Sequence, residues 1–153
     1  MTRRSEVIEQ DMGFDRIMAA IPELRGATVD IGIQEDAGVA EGGTTVAEYA
    51  FYNEFGTEHI PARPFMRGAA DEQRNRWYDF VERSLNLVIQ GKLSLNPALN
   101  MIGERAADDT RQYAVKLSTP PNAESTIRQK GSSNPLVGES TRMIQSIRHV
   151  VTR

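Results

Sequence analysis

The pattern of apolar and polar positions divides the first third of the chain into helical and extended segments. In residues 13–24 the apolar side chains recur at the spacing of one helix face, and Pro22 is expected to end this helix early. Residues 27–33 alternate with the period of a half-buried strand. Residues 46–55 return to a helical spacing, and Gly56 can close that helix with a positive φ. The pattern therefore predicts a short amphipathic helix, a strand and a second helix.

Two longer apolar stripes follow. The first predicts a helix that Pro64 opens and that ends near Gly91, and we expect Trp77 and Phe80 to pack in the core beside it. The second begins at about Pro97 and stops before the prolines at 120 and 121. Because the connection is short, the two helices should form an antiparallel hairpin that covers one face of a small sheet. The stripes comprise Met66, Ala70, Trp77, Val81, Leu85 and Val88, then Leu99, Ile102, Ala106, Tyr113 and Leu117.

The remaining segments lack a strong period. Residues 34–45 contain three glycines and predict a mobile loop. Residues 118–141 are rich in Ser, Thr, Pro, Gly and Asn, and predict a polar C-terminal arm with at most one helical turn at 124–130. The final residues should change from a short helix to a strand near Ser146, and that strand should pair with the sheet. Together the segments predict a single α+β domain over residues 1–153: a small antiparallel sheet packed against two long helices, with extended loops or arms.

Composition narrows the function classes. The 153 residues are 39% hydrophobic and 25% charged, which is typical of one globular domain. The absence of cysteine excludes disulfides, thiolate zinc sites and cysteine nucleophiles. No apolar run approaches the roughly 18 residues of a membrane helix, so no membrane contact is expected. The net charge of -3 is spread along the chain, which argues against DNA coating but does not exclude a channel through which DNA slides.

The sequence contains few candidate catalytic or metal-binding residues. Glu54, Glu58 and His59 would make at most a poor open metal site, and no GxSxG turn marks a serine nucleophile. Asp108 and Asp109 are adjacent on a helix and point about 100° apart, so a solvated face is the better interpretation than an acid–base pair. The sequence therefore predicts no catalytic residue, no metal and no cofactor.

The most distinctive segment is 50–72, AFYNEFGTEHIPARPFMRGAADE. It combines an aromatic helix end, a glycine and an elbow fixed by two prolines, because the residue before each proline is pushed out of the helical region. Arg63 lies between Pro61 and Pro64 and is expected to meet a carboxylate on its own chain or on a neighbour. A corner of this kind fixes the angle between elements, as an assembly subunit requires.

At this corner the sequence resembles the neck or tail-completion (tail-component) family of long-tailed bacteriophages, whose members carry NEFGT, a short gap and I-P-x-R-P-F-[LM]-R. A weaker likeness follows at 126–147, where the family pattern T-I-x-x-K-G-S, then P-L, is present, whereas its T-G-[RK]-L is replaced by Glu139 to Met143. The residues that we take as the assembly motif are Tyr52, Asn53, Glu54, Phe55, Gly56, Ile60, Pro61, Arg63, Pro64, Phe65, Met66 and Arg67.

The resemblance implies a structural virion protein that forms a homo-oligomeric ring at the neck or head-proximal tail end and acts in head–tail joining and tail completion. Six copies would match the symmetry of the tail. The implied partners are the head connector, the tail terminator or the tail tube, with DNA only as non-specific cargo in the lumen. The ring would be assembled in the host cytoplasm. A tail terminator that caps the tube is the alternative, and a small hydrolase using Glu54 or Glu58 with His59 is the third possibility.

Overall fold

The computed structural model describes residues 13–39, 43–137 and 141–152, and has an α+β fold. In chain order the elements are α1 (Phe14–Leu24), β1 (Thr28–Ile33), a short 3-10 helix (Glu35–Ala37), α2 (Val46–Phe55), α3 (Phe65–Ile89), α4 (Leu95–Lys116), α5 (Glu124–Lys130), α6 (Arg142–Gln145) and β2 (Ile147–Thr152). The α+β class predicted from the pattern is confirmed. No helix in these ranges is long and apolar enough to cross a membrane.

The sheet consists of β1 and β2, which pair antiparallel with Val29 opposite Val151 and Ile33 opposite Ile147. The predicted change from helix to strand near Ser146 is confirmed, since α6 ends at Gln145 and β2 starts at Ile147. Helix α4 lies directly against both strands, and α3 packs along α4. The guanidinium Nε of Arg111, on α4, also donates to the carbonyl oxygen of Ile147 at 2.9 Å.

Small residues let the long elements approach closely. A Cβ at Gly68 of α3 would overlap the Tyr113 ring of α4, and a Cβ at Gly103 of α4 would overlap the His149 ring of β2. Where α4 faces the core it presents Ala98, Ala106, Ala107 and Ala114, each at most 4% exposed. The core itself is completed by Val46, Ala50, Phe65, Leu136, Met143, Ile144 and Ile147.

Two helix boundaries differ from the predicted ones. Helix α4 starts at Leu95 rather than near Pro97, because a proline in the first helical turn removes an N–H that has no intrahelical partner there. Helix α1 continues past Pro22 to Leu24, so the expected early end is wrong. Pro22 has no N–H to donate to the Met18 carbonyl, but the helix continues beyond it, since the N–H of Arg25 donates to the Ile21 carbonyl at 3.1 Å.

The segments predicted as loop and arm contain more structure than expected. Within 34–45, residues 35–37 form the 3-10 helix and Val39 bridges to Thr45, whereas 40–42 lie outside the described residues. Within 118–141, α5 is a helix of 7 residues, so the expectation of at most one turn is wrong. Pro135 and Leu136 are buried, and the part at 138–140 lies outside the described residues.

Candidate assembly site

The corner between α2 and α3 is closed by short-range backbone contacts. Gly56 has φ of 78°, and a Cβ there would lie 2.9 Å from the backbone nitrogen of Ala62, so the turn requires glycine for two reasons. The N–H of Thr57 donates to the Ile60 carbonyl at 2.8 Å, and the Thr57 hydroxyl accepts from the Ile60 N–H at 3.0 Å. The elbow predicted from the prolines is thus a tight, hydrogen-bonded turn.

Glu54 of α2 caps the N-terminus of α3. Pro64 occupies the N-cap position of α3 and has no side chain that can accept there. Instead the buried Glu54 carboxylate accepts hydrogen bonds from the backbone N–H groups of Met66 at 2.9 Å and Arg67 at 3.1 Å. A negative charge at this position satisfies two N–H groups without intrahelical partners and interacts favourably with the helix dipole. The Glu54 side chain is therefore a structural part of the corner.

Arg63 is buried without a carboxylate partner among the described residues. Its guanidinium donates to the carbonyl oxygens of Pro120 and Pro121 at 3.1 and 3.2 Å. It also donates to the side-chain oxygens of Asn53 at 3.4 Å and Asn122 at 3.3 Å. The expected ion pair within the chain is therefore wrong for the described residues, because uncharged oxygens take the place of the carboxylate. The pair with a carboxylate of a neighbouring chain stays a prediction. Burial lowers the pKa of Arg63, against a smaller opposing effect of Tyr49.

Asparagines extend this network into the C-terminal arm. The side-chain amide of Asn122 donates to the carbonyl of Asn134 at 3.1 Å. The side chain of Asn134 in turn accepts from the N–H groups of Leu136 and Val137, and donates to the carbonyl of Val115 on α4 at 2.7 Å. Arg63 therefore joins the corner to a segment of the arm that is itself fixed to α4.

The outer side of α2 carries an exposed aromatic patch, which we define as Phe51, Tyr52 and Phe55. The rings of Phe51 and Phe55 are 4.7 Å apart between centroids, and the two side chains are 57% and 54% exposed. The guanidinium of Arg67 lies 4.8 Å above the Phe55 ring, and its Nε is 2.9 Å from Glu54 Oε1. A shallow groove of about 180 Å³ adjoins the patch, with Ile33 and Met66 among its walls. The patch is thus held on a rigid support.

The predicted motif residues separate into two sets. Asn53, Glu54, Arg63 and Phe65 are buried and build the corner. Tyr52, Phe55, Pro61 and Arg67 are exposed and form its outer surface, whereas Gly56, Ile60, Pro64 and Met66 are half-buried. Sequence reasoning missed Phe51 and Asn122. Phe51 had a usable signal, since it precedes Phe55 by one helical turn.

The carboxylates that the sequence analysis considered for catalysis or metal binding have other surroundings in the structure. Glu58 and His59 are exposed beside the buried Glu54, and the described residues contain no group of three side chains that could hold a metal. Asp109 is buried rather than solvated, so that expectation is wrong for Asp109 and fits only Asp108. The Asp109 carboxylate accepts from Trp77 Nε1 and Arg105 Nε, both at 2.9 Å, and connects α3 to α4.

Comparison with known proteins gives no relative. No family model, no curated protein and no solved structure matches this chain.

Proposed function

We propose that this chain is a structural protein of the virion of a long-tailed bacteriophage. In this proposal it forms a ring at the neck or head-proximal end of the tail, and acts in head–tail joining and tail completion around the DNA channel. The observation that carries the proposal is the motif from Asn53 to Arg67, which resembles the neck and tail-completion family. No enzymatic activity forms part of it.

The geometry of the motif supports a role in assembly. Its buried members fix the angle between α2 and α3, and its exposed members present aromatic side chains on that fixed support. Rigid aromatic side chains next to an arginine are enriched at the centres of protein interfaces, because they bury much area at little cost in conformational entropy. A surface of this kind suits docking to a sister copy or to a neighbouring virion protein.

The environment of Glu54 argues against the form of the hydrolase alternative that uses this carboxylate. A general acid or base must be able to exchange a proton with a substrate. The Glu54 carboxylate is 5% exposed and is occupied by two backbone N–H groups and by Arg67. Removing the charge of Glu54 would leave the N-terminus of α3 without its cap. The structural role of Glu54 therefore explains its presence.

The charge of the chain fits a ring through which DNA passes. A net charge of -3 gives a ring no general attraction for the phosphate backbone, so DNA would enter the lumen as non-specific cargo and slide through it.

The proposal is tested on phage particles produced without this protein. Electron microscopy should show filled heads and finished tails that are not joined, and supplying the wild-type chain should restore joined particles. Overlong tails would instead assign the protein to the tail-terminator position. Normal infectious particles would overturn the proposal.

Single-residue variants supplied to the particles that lack the protein test which surface of the chain is needed. Phe55→Ser changes the exposed patch and leaves the buried cap of α3 intact, so the variant should fold but fail to restore joining. The matched control is Tyr78→Ser, which changes an exposed aromatic residue on α3 that is 68% exposed and lies outside the motif. Equal complementation by both variants would show that the patch has no part in assembly.

A further inference from the structure

Residues 120–134 follow α4 and precede the buried pair Pro135 and Leu136. We refer to residues 120–134 as the strap. Its middle is α5, in which no residue is buried. Apart from its prolines, the strap has one large apolar side chain, Ile127, which is half-buried. The strap is therefore held mainly by polar contacts rather than by apolar burial.

The first attachment of the strap is Arg63. The guanidinium takes three of its four acceptors from the strap, namely the carbonyl oxygens of Pro120 and Pro121 and the side-chain oxygen of Asn122. These distances of 3.1 to 3.3 Å exceed the roughly 2.7–2.9 Å of a hydrogen bond between a cation and a carboxylate. A buried cation has lost its hydration, and uncharged oxygens replace it only in part. Breaking these contacts therefore costs little, because water takes the place of the oxygens.

The second attachment of the strap is Lys130 of α5. Its Nζ is 3.2 Å from the hydroxyl of Tyr49 and 5.8 Å from the centre of the Tyr49 ring. Lys130 belongs to the T-I-x-x-K-G-S pattern, whose members Thr126, Ile127 and Lys130 form the half-buried side of α5. The role of this second motif is thus to place the strap against α2.

Asn122 connects the two attachments. Its side-chain oxygen accepts from Arg63 at 3.3 Å, and its side-chain amide donates to the Asn134 carbonyl at 3.1 Å, which joins the two ends of the strap. A helix of 7 residues is marginal in water on its own, so α5 depends on the contacts around it. Loss of the contact with Arg63 therefore also releases α5, although no hydrogen bond joins Arg63 to α5 among the described residues.

We propose that the strap opens as one unit while the rest of the fold stays intact, and that its contact with Arg63 controls this opening. Segments with few buried apolar contacts open locally at a lower free energy than the whole domain. In the closed form Arg63 is 6% exposed. Opening brings the guanidinium into water, where a carboxylate of a neighbouring chain can reach it. The opening is a property of the single chain and does not depend on the proposed function.

Hydrogen exchange followed by NMR tests the opening in the wild-type chain. Three N–H groups report on the strap: the Nε–H of Arg63, and the backbone N–H groups of Ile127 and Gly131, which donate within α5 and at its end. If the strap opens as one unit, their protection factors should agree within about threefold. The Nε1–H of Trp77, which is bonded between α3 and α4, should be at least about tenfold more protected.

A variant in the strap tests whether the two attachments are coupled. Lys130→Met removes the contact with Tyr49 and should make exchange of the Arg63 Nε–H at least about fivefold faster. The matched control is Arg128→Met, which removes an exposed positive charge from the same helix and should change this rate less than about twofold.

The coupling should also act in the opposite direction, because it is reciprocal. Arg63→Met should make exchange of the Ile127 and Gly131 amides at least about fivefold faster, whereas Arg83→Met, at an exposed position of α3, should leave it unchanged. If circular dichroism shows that Arg63→Met does not fold, the comparison of Lys130→Met with Arg128→Met decides the question.

Three results would overturn the proposal. The first is fast exchange in α5 while the Arg63 Nε–H stays as protected as the Trp77 Nε1–H, which would mean that α5 frays alone. The second is exchange of all three strap groups as slow as that of the Trp77 Nε1–H, since the strap would then open only with the whole domain. The third is an equal effect of Lys130→Met and Arg128→Met on the Arg63 Nε–H.

Discussion

The side chain of Arg67 donates two hydrogen bonds to Glu54 across the corner between α2 and α3, in addition to the one from its backbone N–H. Arg67 Nε donates to Glu54 Oε1 at 2.9 Å, and Arg67 Nη2 donates to the backbone carbonyl of Glu54 at the same distance. One arginine thereby stabilises the buried carboxylate, the end of α2 and the Phe55 ring above which it lies. The inner structure of the corner and its outer aromatic surface share this residue.

Glu54→Ala should destabilise the fold, because it removes the side chain that caps α3. We expect the free energy of unfolding to fall by about 2 kcal/mol, at the upper end of measured capping effects. Urea unfolding followed by circular dichroism measures it. Glu58→Ala alters an exposed carboxylate in the same turn and should stay within about 0.5 kcal/mol of the wild type. Equal effects in the two variants would contradict the capping role.

Arg63→Met should release the segment at 120–122 from the corner. The variant keeps most of the buried aliphatic volume but leaves four oxygen acceptors without their donor. We expect a loss of about 3 kcal/mol in the free energy of unfolding. Hydrogen exchange should also become faster in residues 115–137. Arg83→Met, at an exposed position of α3, is the control and should change neither measurement.

Gly103→Ala should weaken the packing of α4 on the sheet. The added Cβ would overlap the His149 ring, whose Nε2 is 3.1 Å from Asn100 Oδ1 and whose Nδ1 is 3.4 Å from Glu104 Oε2. We expect a loss of about 1 to 3 kcal/mol, as for other overpacked sites. Gly32→Ala in β1 adds the same methyl group where nothing lies within 4 Å, and it should not destabilise the protein. Similar losses in both variants would point to a backbone effect instead.

The capping box of α2 should contribute to the acid dependence of stability. The Glu48 carboxylate accepts from the Thr45 N–H at 3.0 Å, and this backbone hydrogen bond, followed by that of the Thr45 hydroxyl, lowers the pKa of Glu48 below its usual 4.5. A lowered folded-state pKa stabilises the protein above the unfolded-state pKa, and the contribution is lost as the pH falls through the folded-state value.

Glu48→Gln tests that contribution. The difference in unfolding free energy between wild type and variant should be constant at neutral pH and should shrink as the pH falls below about 4.5. Glu23→Gln, an exposed carboxylate in α1, provides the comparison. A difference that does not change with pH would mean that the amide replaces the carboxylate fully in the capping box.

The local elements could be predicted from the sequence because their signals are local. Val46–Phe55 and the change at Ser146 follow from apolar spacing together with glycine and capping residues nearby. The α+β class follows from the order of strand, long helices and strand. The start of α4 at Leu95 lies two residues before the predicted one, since a proline near a helix start is compatible with several first-turn positions.

The polar contacts of the candidate site could not be predicted, because their partners lie far away in the sequence. Arg63 meets Pro120 across 57 residues, and Trp77 meets Asp109 across 32. The sequence shows that Arg63 is held by prolines and that Asp109 is on a helix. It does not show that α4 turns Asp109 toward α3, or that the arm folds back to surround Arg63 with carbonyl oxygens. Tertiary packing decides the orientation of Asp109 and the surroundings of Arg63. It also decides which motif residues remain at the surface.

The pairing of β1 with β2 has a consequence for biosynthesis. Contacts between α3 and α4 are local and can form while the chain is still leaving the ribosome, but β1 has no partner until β2 has emerged after them. The exposed edge of β1 is then open to non-native pairing, most of all when many copies are made at once. The chain therefore completes its sheet only after α3 and α4 have been made.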